Sequence, residues 1–259
     1  MAEPIIFYDV PRTVDSGEAW SPNTWKTRYT LNMKGIPYKS VWVEYPDIAS
    51  VMRRIGANPT AQKNGSPHYT LPAIYDPNTK MALADSAQIV RYLDNRYPDT
   101  PRLIPVGTDA LHAAFDQAFL SVLLSDIQPI MLPPTANNLP PRSAAYFTAT
   151  REVSMGGKLD ELAPPGPKRE KYWSGIQEAL HKYAQWLQAD GVDKLFFTGD
   201  KIVYADITIA SFLMWMRTIL GPNNHEWVAV ETWDGGRWAR FMEAFNAYDA
   251  VDAGENAVV

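Results

Sequence analysis

The feature that most constrains how this chain folds is a change of period at residues 98–105, a proline-rich, irregular stretch. Before it, short apolar runs of β-forming residues alternate with helical patterns; beyond it the helical period holds almost throughout. Residues 5–8 (Ile-Ile-Phe-Tyr) predict a strand, and 9–19, with Pro11 and Gly17, a loop. A helix runs from Ser21 to about Lys34, closed by Gly35 and Pro37. Residues 38–43 form a second strand and 48–55 a short helix, while 58–69, with Pro59, Gly65 and Pro67, read as loop. Residues 70–76 are a third strand, in which Pro72 is tolerated only at the start or on an edge. A turn at 76–80, a return strand at 81–84 and a helix carrying Ile89, Val90, Leu93 and Tyr97 complete a β-α-β-(α)-β-β-α order.

In the second part, Leu111, Phe115, Ala118 and Val122 make one helical stripe, widened by Phe119 and Leu123. Five prolines within residues 127–141 predict a break or a loop there. Helices are expected over 144–162 and 172–189, a connector with Gly199 over 195–202, a buried central helix over 206–220 and a last helix over 237–248, with frayed final residues. The fold class is therefore a small α/β domain, residues 1–97, followed by an all-helical domain, residues 106–259.

Composition narrows function by exclusion. A net charge of −5 without any Lys/Arg cluster argues against a nucleic-acid partner. No apolar run approaches the ~20 residues of a membrane span, and the N-terminus has neither a basic nor an apolar leader, so a cytoplasmic protein with no membrane partner is expected. There is no cysteine, hence no disulfide, thiolate metal site or cysteine nucleophile. The four histidines, His68, His112, His181 and His225, lack metal-ligand spacing, so no metal is expected. Any thiol chemistry must use a thiol that arrives with the substrate.

Ser21-Pro22 opens the first helix with a cap-type residue followed by proline, whose missing N–H is harmless there. Such a start aims free N–H groups and a hydroxyl at whatever lies in front, and favours anions, thiolates included; plain capping is the alternative. Together, Ser21-Pro22, Leu71-Pro72 opening the third strand and Asp85-Ser86 opening the next helix resemble the thioredoxin-fold domain of glutathione transferases. Residues 197–210 (Phe-Thr-Gly-Asp-Lys-Ile-Val-Tyr-Ala-Asp-Ile-Thr-Ile-Ala) resemble that family's second-domain signature, although Val203 stands where the family usually has the Ser or Thr of a capping box before Asp206. Trp20–Arg28 (Trp-Ser-Pro-Asn-Thr-Trp-Lys-Thr-Arg), the long first loop and residues 54–60 (Arg-Ile-Gly-Ala-Asn-Pro-Thr) are similar to the bacterial lignin β-etherase-like transferases and, more closely, to the fungal A class of wood-decay basidiomycetes.

The resemblance implies a thioredoxin-like domain joined to a helical domain, glutathione as cosubstrate and a homodimer. It assigns Ser21 as the catalytic hydroxyl beside the glutathione sulfur, with Asn23 and Thr24 able to share or take over that role. It implies a cis Leu71-Pro72 bond that turns the Leu71 backbone towards the cysteinyl peptide, and places Asp85 on the γ-glutamyl ammonium and Ser86 on its carboxylate. Lys63 and His68 are candidates for the glycyl carboxylate. Most of the nine tryptophans belong in the core, but Trp20 and Trp25, with Tyr45 and Phe119, are candidates to line a pocket for flat aromatic molecules. Two functions follow as expectations: a Ser-type transferase acting on hydrophobic electrophiles such as isothiocyanates, aryl halides or peroxides, and a carrier of flavonoid- or stilbene-like polyphenols.

Overall fold

The computed structural model describes residues 3–13 and 19–258; residues 14–18, the middle of the expected first loop, lie outside it. Strand β1 (Ile5–Asp9) is the centre of a five-stranded sheet. It pairs in parallel with β2 (Tyr38–Trp42), Phe7 opposite Ser40, and antiparallel with β5 (Ala73–Asp76), Phe7 opposite Ile74. The hairpin partner β6 (Met81–Ala84) forms one edge. Helix α1 (Pro22–Lys34) crosses between β1 and β2, and α3 (Ser86–Arg96) follows β6. Ile5, Phe7 and Ile74 of the sheet, Leu31 of α1, and Ile89 and Leu93 of α3 bury one apolar cluster between them. Helix α2 (Ile48–Ile55) follows a single 3₁₀ turn at Tyr45–Asp47. The expected loop after α2 contains a small hairpin, β3 (Ala61–Lys63) with β4 (Ser66–His68).

The helical part comprises α4 (Asp109–Asn137), α5 (Pro141–Met155), α6 (Leu159–Leu162), α7 (Pro167–Leu187), α8 (Tyr204–Leu220) and α9 (His225–Glu243). Helix α8 is apolar nearly all round because it is wrapped by α1, α4 and α9. The proline-rich stretch does not break α4, which runs through Pro129, Pro133 and Pro134 to Asn137. Each proline removes one backbone bond, but the burial of Ile127, Ile130, Met131 and Leu132 around them outweighs the loss. Helix α9 bends at Trp233–Gly236, where the backbone leaves helical angles. The chain end is not frayed: residues 249–257 fold back, and β7 (Glu255–Asn256) adds to β2 in parallel as the fifth strand.

Helix α1 is buried on nearly every side, and Arg28 and Lys34 in it are ion-paired inside. The Lys34 ammonium donates to Asp94 Oδ1 and to the Pro101 carbonyl, both at 2.8 Å. Asp94 also accepts the N–H groups of Leu103 and Ile104, so one carboxylate pins the proline-rich connector. At the start of α8, Asp206 accepts from the N–H groups of Val203 (2.9 Å) and Phe197 (3.0 Å). Half of the expected capping box survives, since the valine side chain offers no acceptor. Burial pushes the Asp206 carboxyl up to about 7, the two N–H bonds opposing it. A carboxyl raised in the folded state contributes stability below its unfolded pKa and loses it as pH rises to the folded one. Asp206→Asn should therefore gain stability relative to wild type between pH 4 and about 7, read by urea unfolding at several pH values. A difference that stays flat over that range would mean that Asp206 titrates as an ordinary carboxyl.

Candidate functional site

Two adjoining cavities meet at the N-terminus of α1. The larger is a cleft of about 340 Å³, and the smaller, about 130 Å³, lies beneath it; Ser21, Asn23, Tyr45 and Arg151 line both. The site is assembled by contacts across the chain. Glu44, just before the 3₁₀ turn, accepts from the N–H and hydroxyl of Ser143 in the first turn of α5, capping that helix from outside. Arg142 clamps Asp47 with two bonds of 3.0 and 2.9 Å. These ties lay α5 over the start of α1, stacking Tyr146 on Tyr45 at 6.1 Å and setting Phe147 edge-on to Trp20.

Ser21 stands at the N-cap of α1 with extended backbone angles and 7% exposure, yet its hydroxyl makes no capping bond. The N1 position is Pro22, and no acidic residue occupies the first turn, so the positive end of the helix is not neutralised within it. Thr24 is fully buried and donates to the Ser21 carbonyl at 3.1 Å, which turns its hydroxyl inward. Asn23 keeps its carbonyl oxygen 3.5 Å from the Lys26 ammonium, leaving its amide N–H groups for the cleft. The first-turn side-chain donors that reach the cleft are thus Ser21 and Asn23.

The Leu71–Pro72 bond is cis. Leu71 borders the cleft just ahead of the β5 ladder, and Lys63 and His68 reach it from the β3–β4 hairpin. Asp85 and Ser86 are not among the cleft-lining residues; they adjoin it through the Asp85 N–H, which donates to the Pro72 carbonyl. Asp85 sits at φ 78°, uncommon for a side-chain-bearing residue, and one carboxylate oxygen caps α3 by accepting from Ala87 and Gln88, both at 3.0 Å. Ser86 Oγ accepts from the Tyr204 hydroxyl at 2.8 Å, which links the α3 start to α8. No acidic side chain lines either cavity among the described residues.

Of the four aromatic candidates for a ligand pocket, Trp20 and Tyr45 line the smaller cavity, and two do not. Trp25 is buried on the inner side of α1 against Tyr29 (4.8 Å), and Phe119 is boxed in by Tyr183 (4.8 Å) and Phe212 (5.0 Å). Both fill the core because these helix faces turn towards neighbours rather than towards the cavity. Leu124 and Leu132 of α4, with Phe212 and Trp215 of α8, form the wall instead. Sequence reading missed Tyr146, Thr150 and Arg151, since no local pattern says that α5 will be tied over α1.

The family model for the glutathione S-transferase N-terminal domain matches residues 20–96, and that for the C-terminal domain matches residues 110–248. The chain belongs to the glutathione S-transferase family. Among solved structures it is similar to a glutathione S-transferase of Ceriporiopsis subvermispora in complex with glutathione, at 54% identity, covering 97% of this chain and 100% of that one with a TM-score of 0.95. It is also similar to glutathione transferase GSTFuA3 of Phanerochaete chrysosporium, at 45% identity, covering 98% and 100% with a TM-score of 0.92. A curated relative, the glutathione S-transferase-like protein ustS of Aspergillus flavus, is 33% identical over 224 residues, 82% of this chain and 80% of that protein. In this family fold, the sheet with α1 and α3 is the thioredoxin-like part, and α4 to α9 are the helical part. No group of three or more His, Cys, Asp or Glu suited to a metal ion occurs among the described residues.

Proposed function

We propose that this chain activates the thiol of glutathione with the Ser21 hydroxyl and transfers it to a hydrophobic electrophile held in the smaller cavity. The observation that carries this reading is the unspent Ser21 hydroxyl: a cap-type residue at a helix start, facing both cavities, that does not cap. A free thiol of pKa ~8.5 is mostly protonated at pH 7. A hydroxyl bond to the sulfur anion, about 1.5–3 kcal/mol, together with the helix end, about 0.3–1 kcal/mol, would lower it by roughly one to three units. The glycyl carboxylate falls to Lys63 and His68, the cysteinyl peptide to the Leu71 backbone and the γ-glutamyl end to Asp85, Ser86 and the α3 start. Thiolate sulfur then attacks the electrophilic carbon of an isothiocyanate or an aryl halide; in the first case the C=N π pair moves to nitrogen, which takes a proton from water, and in the second the halide leaves.

Ser21→Ala is expected to lower kcat/KM at pH 7 by about 10- to 100-fold and to raise the thiol pKa of bound glutathione by one to two units, while glutathione affinity changes little. Thiolate absorbance against pH and steady-state turnover of chlorodinitrobenzene check both. Unchanged values in Ser21→Ala alongside a loss in Asn23→Ala would transfer the role to Asn23.

A second reading, a carrier of aromatic compounds, is favoured by the aromatic wall of Trp20, Phe147, Phe212 and Trp215. It predicts displacement of an anilinonaphthalene dye by polyphenols at full occupancy of glutathione, and failure of every polyphenol to compete would remove it. The family's usual homodimer and a cytoplasmic location complete the proposal, the first checked by light scattering.

A further inference from the structure

The smaller cavity has a size and a charge that select among aromatic ligands. An apolar cavity of about 150 Å³ admits benzene, so the 130 Å³ here holds one six-membered ring, and further rings of a larger polyphenol would have to extend into the adjoining cleft. Its walls are aromatic and aliphatic, with Gln128 as an amide and one full charge, Arg151. The Arg151 guanidinium carbon lies 4.7 Å from the Phe147 ring centroid and 6.0 Å from that of Tyr45, a stacked position that holds the fork in place. Among the described residues no carboxylate pairs with Arg151, which donates from Nη1 to the neighbouring Thr150 hydroxyl at 3.3 Å and also hydrogen-bonds the Tyr45 phenol. This contrasts with Arg142, one helical face away on the same helix, which is held by Glu44 and Asp47.

Cationic groups line and back the cavity, while the carboxylates nearby, Asp116 and Asp85 acting on Lys26 and Asp9 on Tyr45, stand outside its lining. The buried Lys26 ammonium sits 5.6 Å from the centroid of Phe212, a wall residue. Tyr45 keeps its proton at neutral pH, because burial pushes its phenol up to about 12, and it remains a donor. The larger cleft has Lys63 and His68 beside Arg151 for a peptide carboxylate, whereas among the described residues Arg151 is the one basic side chain lining the smaller cavity. A guanidinium that has hydroxyl partners but no carboxylate, set over an aromatic slot, matches a planar ligand that ends in a planar anion.

We infer that the smaller cavity binds a monocyclic aromatic carboxylate, its ring between Trp20, Phe147 and Phe212 and its carboxylate on Arg151. The assignment rests on the reading of the adjoining cleft as the glutathione site. Arg151 is then the residue that makes the acceptor or cargo site selective for acids over neutral aromatics of the same shape.

The experiment compares 3-phenylpropenoate with its amide, equal in ring and length and different in charge, by titration calorimetry with and without glutathione. Wild type is expected to bind the acid about tenfold or more tightly than the amide. Arg151→Met should abolish that preference while leaving amide affinity unchanged, and Arg151→Lys should retain part of it. Equal binding of acid and amide by wild type, or an equal loss of both in Arg151→Met, would overturn the assignment. So would a weakened glutathione affinity with the acid preference intact in Arg151→Met, which would place the guanidinium on the peptide. An acid preference that persists in wild type without glutathione supports the anchor whether or not glutathione binds, so the two readings fail separately.

Discussion

Replacing Arg28 by methionine is expected to destabilise the folded chain by about 3–5 kcal/mol, the usual cost of removing one member of a buried ion pair. The Arg28 and Asp9 side chains are both 0% exposed and meet at 2.8 Å. The guanidinium is ringed by Phe7, Trp25, Tyr38 and Trp42, with ring centroids 5.0–5.7 Å away, and donates to Tyr38 and Ser40 hydroxyls as well. Without it, Asp9 is a carboxylate in an apolar enclosure. Burial already holds the Asp9 carboxyl above its usual value even against the pull of Arg28, so losing the cation drives it higher. A carboxyl raised in the folded state loses stability as pH rises, so the deficit of Arg28→Met should grow between pH 5 and pH 8. Urea unfolding at both pH values measures it, and a deficit independent of pH would show that Asp9 is not the stranded group. Arg28→Met with Asp9→Leu should recover much of the loss, because desolvation of such a pair consumes most of its attraction.

Removing the chain after Tyr248 is expected to lower stability by at least about 3 kcal/mol, or roughly 6–12 °C in Tm for a chain of this size. Tail residues make unusually many bonds to the sheet side for so short a segment. Asp249 accepts from Tyr29 of α1 (2.9 Å) and from Arg217 of α8 (2.6 Å), joining the two parts of the molecule. Asp252 accepts from the Ser40 N–H (2.7 Å), the Ser40 hydroxyl and Arg28 (3.3 Å). The Trp42 indole donates to the Ala253 carbonyl at 3.1 Å, and β7 covers what would be an open edge of β2. Gly254 is required beside that indole: its φ is +64°, and a Cβ there would overlap Trp42. Asp252→Asn should cost less than the truncation, since only its charge is lost. A truncated chain that melts with wild type would show that the tail lies on the sheet without supporting it. The two variants share the Arg28–Asp252 contact, so their effects should not add.

Much of the architecture was legible in the residues. The apolar run at 5–8, the alternation at 38–43 and period 3.6 beyond residue 105 define local structure through short-range sterics, and most of these elements stand where expected. The helix expected over 144–162 is split after Met155, and the last helix, expected over 237–248, begins at His225 and ends at Glu243. The positions of Ser21-Pro22, Leu71-Pro72 and Asp85-Ser86 were also legible, because helix and strand openings have chemical signatures. Pro129, Pro133 and Pro134 misled, since proline's local cost is real but was exceeded by the burial around it. The tail misled for the opposite reason: a short polar stretch has no core-forming pattern, and its order comes from partners more than 200 residues away.

The candidate site divides the same way. That Ser21 heads a helix follows from its neighbours alone; that its hydroxyl is left uncapped and turned into a cleft does not. Trp25 and Phe119 carry the same side chains as true wall residues, and only the packing of α1 against Tyr29 and of α4 against Tyr183 sends them into the core. Arg151 became visible when Glu44 and Asp47 tied α5 across the start of α1. By itself the sequence determined most of the elements and their order, the absence of a protein thiol and the family, since each depends on residue type and near-neighbour spacing. Tertiary structure alone decided which donors, rings and cations share one cavity, because that depends on contacts between segments about a hundred residues apart.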